Sequence, residues 1–199
     1  MSSQVYRGVL SLVEIESIIN FYQDKPVAAE DHWSRNKNLE YQFADDFSYQ
    51  VLNPKLTTIL GKHEFATGSY KECTQPYAIH VDAYRAHQST GTITTFAQEK
   101  KHNKAVLIPL VEGPGYKTVT FSCYSEDNNY QLDTWLQEKN SLDPAEFTHC
   151  DSRITRLPVE IEYTWQLGDV LCWDRNQLHA SADFVRHGVT KQFLILFIA

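Results

Sequence analysis

Basic clusters, paired cysteines and long apolar runs are scarce in this sequence, and each shortage removes a class of function. Lys and Arg number 18 against 25 Asp and Glu, for a net charge of −7, and the densest basic run is the short Glu99-Lys-Lys-His-Asn-Lys104. A nucleic-acid backbone is therefore not an expected partner, and that run reads as a solvated loop. The cysteines Cys73, Cys123, Cys150 and Cys172 are spaced 50, 27 and 22 residues apart with no Cys-x-x-Cys pair, which argues against structural zinc and for reduced thiols. The longest apolar run, Phe193 to Ala199, is too short to span a bilayer, and no apolar signal core follows a basic N-terminal segment. No membrane association and a cytoplasmic address are expected. A Gly-x-Ser-x-Gly elbow and a His-Glu-x-x-His helix are both missing, which removes the usual serine-nucleophile and zinc-hydrolase signatures.

What remains is an aromatic-rich chain with 42% apolar residues and ordinary Gly and Pro, the composition of a globular protein. Its 199 residues predict a single domain over 1–199, with a helical, covering segment at 1–70 and a β-rich body at 72–199. Ser11-Leu-Val-Glu14 has capping-box spacing, and Leu10 and Ile15 are placed for a hydrophobic staple. A helix over Leu12 to Tyr22 follows, with Leu12, Ile15, Ile18, Ile19 and Tyr22 as a stripe packed on a sheet. Trp33, Tyr41, Phe43, Phe47 and Tyr49 make residues 27–52 a covering segment, and Asn53-Pro54 predicts the start of a second helix that stops at Gly61.

From residue 72 the pattern changes to short β-type runs divided by turns. Strands are predicted at Tyr77 to Tyr84, Gly91 to Phe96, Ala105 to Leu110, Lys117 to Cys123, Glu160 to Trp165, Val170 to Trp173, Leu178 to Phe184 and Lys191 to Ile198. Eight strands suit a double-sheet jelly roll. The fold expected is mainly β with flanking α, a double-stranded β-helix or cupin-like barrel with the N-terminal helices on one sheet. Residues 125–158 read as an insertion into it, including a helix start at Asp143-Pro-Ala-Glu146.

The chemistry centres on His80-Val-Asp82 and on His179. On a strand, side chains at i and i+2 share a face, so His80 and Asp82 point together. Two imidazoles and one carboxylate with open positions suit non-haem Fe(II). With eight histidines and twelve aspartates, chance alone supplies about 0.5 His-x-Asp matches, so the motif needs context. That context is Trp165-Gln-Leu-Gly-Asp-Val-Leu-Cys-Trp-Asp-Arg-Asn-Gln-Leu-His179, a turn, an apolar strand, a second turn and a histidine on a new strand. Lys191 follows twelve residues later and opens the closing apolar strand. The other histidines, His32, His63, His87, His102, His149 and His187, lack this order.

In these features residues 75–199 resemble the Fe(II)/2-oxoglutarate-dependent dioxygenase superfamily, of the phytanoyl-CoA or prolyl hydroxylase kind. The resemblance implies a hydroxylase with Fe(II) on His80, Asp82 and His179, and 2-oxoglutarate as cosubstrate, with a small molecule or peptide as substrate. It also implies a cation at the start of the last strand for the far carboxylate of 2-oxoglutarate. Lys191 is the candidate, with Arg186 as its rival and an ordinary strand-edge lysine as the plain alternative. Thr95, Tyr124 or Ser181 can supply an assisting hydroxyl, while Tyr77 is out of phase with His80 and Asp82. The competing class is a cupin-type isomerase or a jelly-roll binding module. Cupins present His-x-His and a nearby Glu, whereas here the motif is His-x-Asp and the next Glu is Glu99.

Overall fold

The Ser11 capping box forms as its spacing predicts. A computed structural model gives the fold and describes residues 2–30, 32, 34–38, 47–82, 104–113 and 115–199. The Glu14 amide donates to Ser11 Oγ at 3.3 Å and the Glu14 carboxylate accepts from the Ser11 amide at 2.8 Å. Two amides are thereby satisfied at the start of helix α1 (Leu12–Gln23). Leu10 and Ile15 are both buried, as a staple requires, and Ile15, Ile18 and Tyr22 form the buried face. Leu12 does not join that stripe and is 66% exposed, because it sits at the first helical position and Leu10 already fills the space beneath. At the other end Lys37 donates to the Tyr22 and Gln23 carbonyls at 2.6 and 2.7 Å, where a cation suits a helix C-terminus.

Helix α2 runs over Phe47–Leu60, so it begins before the Asn53-Pro54 pair that the sequence marks as its start. Pro54 lies inside the helix and forgoes one backbone bond, typically at a cost of about 3 kcal/mol. The full burial of Leu52 and Leu56 on either side offsets that loss. Gly61 ends the helix with φ of 78°, a left-handed turn that glycine adopts without strain.

Among the described residues the strands are, in chain order, β1 (Gln4–Tyr6), β2 (Ala29–Glu30), β3 (Ser34–Asn38), β4 (Phe65–Cys73), β5 (Lys104–Pro109), β6 (Lys117–Tyr124), β7 (Val159–Thr164), β8 (Val170–Asp174), β9 (Gln177–Ser181) and β10 (Lys191–Ile198). They form a seven-stranded sheet, β1-β8-β5-β10-β4-β3-β2, and a three-stranded sheet, β7-β6-β9. Every pairing is antiparallel, and among the described residues neither sheet closes on itself, so the expected barrel is two open sheets.

Several predicted elements differ. The predicted strand Gly91 to Phe96 lies outside the described residues, as do Trp33, Tyr41 and Phe43 of the covering segment. Residues 77–82 are not a regular strand: they bridge β9 at His80, with one more backbone bond from Ser181 N to Tyr77 O, while several of their other backbone groups bond to side chains. The strand predicted to reach Phe184 stops at Ser181. Asp183 then caps a single 3-10 turn, Phe184–His187, by accepting from the Arg186 amide at 3.4 Å. Asp143-Pro-Ala-Glu146 likewise yields one 3-10 turn, Pro144–Glu146, with Asp143 accepting from the Ala145 amide. Strand β4 has no counterpart in the sequence reading. Its Gly68, Lys71 and Glu72 interrupt any apolar run, and it forms because β10 and β3 pair with it on both sides.

Three apolar clusters sort the strand side chains by face. Leu194, Leu196 and Ile198 of β10 pack with Val106, Ile108, Tyr70 and the buried faces of α1 and α2. Phe193 and Ile195 turn the opposite way and join Leu107, Leu171, Trp165 and Trp173. On the three-stranded sheet, Val119, Phe121, Leu178 and Ala180 face outward under Leu132, Leu142, Phe147, Ile154 and Leu157 from residues 125–158. Period-two alternation therefore sends His179 and Ser181 of β9, and Lys191 of β10, toward the side chains enclosed between the sheets.

Candidate metal centre

His179 owes its position to β9, whose five residues are all buried. His80 is tied to it by a reciprocal pair of backbone bonds, His80 N to His179 O and His179 N to His80 O, each 2.9 Å. The two rings meet with centroids 4.1 Å apart. Two residues on, the Asp82 amide donates to the Arg175 carbonyl at 2.9 Å and the Arg175 guanidinium donates to the Asp82 carbonyl at 3.0 Å. The β8–β9 turn thus holds the Asp82 backbone from both sides.

Each histidine is oriented by its own backbone neighbourhood. His80 Nδ1 lies 2.8 Å from the Ala78 carbonyl and His179 Nδ1 lies 3.0 Å from the Gln177 carbonyl. A carbonyl only accepts, so each Nδ1 carries a proton, and in a neutral ring the lone pair lies on Nε2. Both Nε2 atoms turn to Asp82, with His80 Nε2 3.9 Å from Oδ1 and His179 Nε2 3.5 Å from Oδ2. One ligand atom from each of the three residues falls within 4.8 Å of the others. Burial, and then the neighbouring His179, lower the His80 pKa to about 4, so near neutral pH the ring is uncharged, the form that binds metal. The contact with Asp82 is therefore no salt bridge at that pH. Two imidazoles and one carboxylate make a donor set whose chemistry fits a divalent transition metal. Trp173 fixes the carboxylate by donating from Nε1 to Asp82 Oδ2 at 3.2 Å.

A cavity of about 220 Å³ extends from these donors between the sheets. Lys191 lines it, is 3% exposed, and holds its ammonium 4.0 Å from the centre of the Trp165 ring. Its Nζ also donates to the Lys117 carbonyl at 3.4 Å. Burial pushes its pKa down to about 7, so this is a cation short of a counter-charge. Arg186 lies elsewhere. It is exposed on the Phe184–His187 turn and donates to the Ala145 carbonyl, outside the cavity.

Of the hydroxyl candidates, Ser181 lines the cavity and accepts from the Tyr77 amide at 3.0 Å, whereas Tyr124 is 43% exposed and away from it, and Thr95 lies outside the described residues. His149 and His63 are bonded to the Tyr77 and Gly61 carbonyls, away from the three donors, and His87 and His102 lie outside the described residues. Tyr77, which the phase argument set aside, lines the cavity with its ring 5.5 Å from that of His80. Phase does not apply to a segment that is not a strand. Lys71 and Trp173 also line the cavity and were not singled out in the sequence. Trp173 lies on β8, in the sheet opposite β9, and its ring centroid is 4.8 Å from that of His179, a contact across the sheets that strand pairing does not signal. For Lys71 no signal existed, because β4 itself was not legible.

The four cysteines are free thiols, and among the described residues no helix is long and apolar enough to cross a membrane. No protein-family model matches the sequence, and no curated protein matches it. Solved structures do share its fold. A viral collagen prolyl hydroxylase from Paramecium bursaria Chlorella virus 1, in complex with 2-oxoglutarate, superposes with a TM-score of 0.59 at 11% identity, covering 100% of this chain and 95% of that one. HygX from Streptomyces hygroscopicus, with nickel and 2-oxoglutarate bound, gives 0.60 at 14% identity over 100% of this chain and 82% of that one. An oxidoreductase of the 2OG-Fe(II) oxygenase family from Burkholderia pseudomallei gives 0.59 at 11% identity over 100% and 84%. At such identities the likeness is one of fold.

Proposed function

We propose that this chain is an Fe(II)- and 2-oxoglutarate-dependent oxygenase, a dioxygenase that hydroxylates a small molecule or an amino-acid side chain. The observation that carries the reading is the convergence of two imidazole Nε2 atoms on one carboxylate at a cavity that also contains a buried lysine with no carboxylate partner among the described residues. In this reading His80, Asp82 and His179 are the metal ligands and Lys191, in preference to Arg186, binds 2-oxoglutarate. The two open sheets are the halves of a double-stranded β-helix, residues 1–199 are one domain, and 125–158 are an insertion between β6 and β7. Free thiols suit a cytoplasmic setting.

Bound Fe(II), 2-oxoglutarate and oxygen supply the oxidising chemistry, which ends in hydroxylated substrate, succinate and CO2. The protein's part is to bind and position. His80, Asp82 and His179 would hold the metal, which would supply the site for cosubstrate and oxygen. Lys191 meets the far carboxylate of the cosubstrate where an unpaired charge is costly. Phe193, Ile195 and Trp173 exclude water from the same space. The assisting hydroxyl is assigned to Ser181, since its side chain lines the cavity.

Anaerobic addition of Fe(II) and 2-oxoglutarate should produce a weak visible charge-transfer band, and an Asp82→Ala protein should not produce it. Folded, iron-loaded protein that shows no band would move the assignment to a cupin-type isomerase or a binding module.

A further inference from the structure

Among the described residues, three charged side chains line the cavity: Asp82, Lys191 and Lys71. The oxygenase reading uses the first two and leaves the third without a task. Lys71 lies on β4 opposite Phe193, while Lys191 lies opposite Cys73, so the two lysines are diagonal neighbours on the inner face, about 7–8 Å apart at the backbone. They differ in setting. Lys191 is buried against Trp165, whereas Lys71 is only partly buried and holds its ammonium 5.4 Å from the centre of the Tyr77 ring, itself beside His80. Among the described residues no carboxylate pairs with Lys71. Arg175, the nearest additional cation in the β8–β9 turn, is turned onto the Asp82 carbonyl and the Phe197 ring.

Charge balance gives Lys71 its meaning. With a ferrous ion and dianionic 2-oxoglutarate in place, the metal charge is offset by Asp82 and one cosubstrate carboxylate, and Lys191 is offset by the other. One positive charge is left, on Lys71, in a partly apolar space where an uncompensated ion is unfavourable. A second dianion would overshoot and a neutral substrate would leave the charge unmet. We propose that Lys71 binds the carboxylate of the primary substrate, and that the substrate is a small monocarboxylic acid with an apolar body. The body fits the remaining wall, where Tyr77, Trp173 and Phe197 present ring surface. This inference rests on the oxygenase reading, which supplies the other charges.

The test uses matched probes, phenylacetate and its neutral isostere phenylacetamide, titrated anaerobically into protein loaded with Fe(II) and 2-oxoglutarate. The acid should shift the charge-transfer band and bind at least about tenfold more tightly than the amide, the scale of one charge-assisted bond. Lys71→Met should remove the preference without weakening 2-oxoglutarate, and Lys71→Arg should retain it. Saturation-transfer NMR on the same samples reads probe binding independently of the iron. Equal binding of acid and amide, failure of the acid to bind, or an undiminished preference in Lys71→Met would overturn the proposal. So would weakened 2-oxoglutarate binding in Lys71→Met, which would make Lys71 a cosubstrate residue. Absence of the band in the unmodified protein sinks the oxygenase reading itself, and that result is distinct from all of these.

Discussion

The two arms that bring the three candidate donors together are built on different principles. His179 sits in the middle of β9, a regular, wholly buried strand paired with β6. His80 and Asp82 sit in residues 77–82, which make one bridge to β9, two further backbone bonds (Ser181 N to Tyr77 O and Asp82 N to Arg175 O), and several bonds to side chains. Asn128 accepts from the Val81 amide at 2.8 Å and donates to the Val81 carbonyl at 3.2 Å. Tyr130 donates to the Ile79 carbonyl at 2.5 Å, and Ser181 accepts from the Tyr77 amide. One donor is therefore fixed by sheet cooperativity and two by a handful of replaceable contacts. The second arm should be the one that point substitutions displace.

The largest effect should come from removing a donor altogether. Asp82→Ala is expected to lower Fe(II) affinity by more than about 100-fold, beyond what loss of a supporting contact does, as read by equilibrium dialysis. Retained affinity would remove Asp82 from the donor set. Asn128→Ala separates the arms, since it releases both bonds to Val81 and leaves β9 untouched. Metal affinity should fall by roughly 10- to 100-fold, and stability by about 1–3 kcal/mol in denaturant melts. An Asn128→Ala protein with unchanged metal affinity would show the arm to be held by Arg175 and the His80–His179 bridge alone.

Lys191→Ala should raise the 2-oxoglutarate requirement by roughly tenfold or more, the scale of losing a charge partner. An unchanged requirement would return attention to Arg186. Trp173→Phe keeps the ring and deletes only the bond to Asp82 Oδ2, so metal affinity should fall by about tenfold at most.

The smallest effect is a pH slope. Lys191 titrates near 7 in the folded, ligand-free protein against 10.5 for a free lysine. Cosubstrate binding must restore the missing proton above that point. The 2-oxoglutarate dissociation constant should rise by up to about tenfold per pH unit above 7, and be flat there in Lys191→Met. The same shift acts on folding. The unfolded chain holds this proton up to 10.5 and the folded chain releases it near 7, so the penalty of burying the amine is present in full below 7 and fades as pH rises toward 10.5. Ligand-free stability attributable to Lys191 therefore increases across that window, which urea titrations on wild type and Lys191→Met can compare.

How legible each part was follows from the same division. β9 and β10 are short apolar runs bounded by turns, so His179 and Lys191 could each be given a strand from sequence, but the unbroken apolar run Phe193 to Ile198 has no alternation and left the facing direction of Lys191 open. The His80-Val-Asp82 spacing was read as a strand pair. The structure brings the two side chains together by a different route, since Asn128 and Arg175 fix that backbone through contacts 47 and 93 residues away in sequence. No local pattern encodes such contacts. β4 was missed for a related reason. Gly68, Lys71 and Glu72 have no strand signature of their own, and its partners β10 and β3 impose its conformation. With β4 went Lys71, and with it half of the cavity's positive charge. The start of α2 was misplaced because Pro54 usually opens a helix, and only the burial of Leu52 and Leu56 shows that the chain tolerates it midway.

β10 is a partition one backbone thick. Its odd-numbered side chains furnish the chamber and its even-numbered ones bear on the two helices, so any slack behind the wall is felt in front of it. The helical layer is in this sense the buttress of the chamber. A loss of bulk at Leu194 or Leu196 should therefore register first in the shape of the chamber around Lys191, and only later at the three donors across from it.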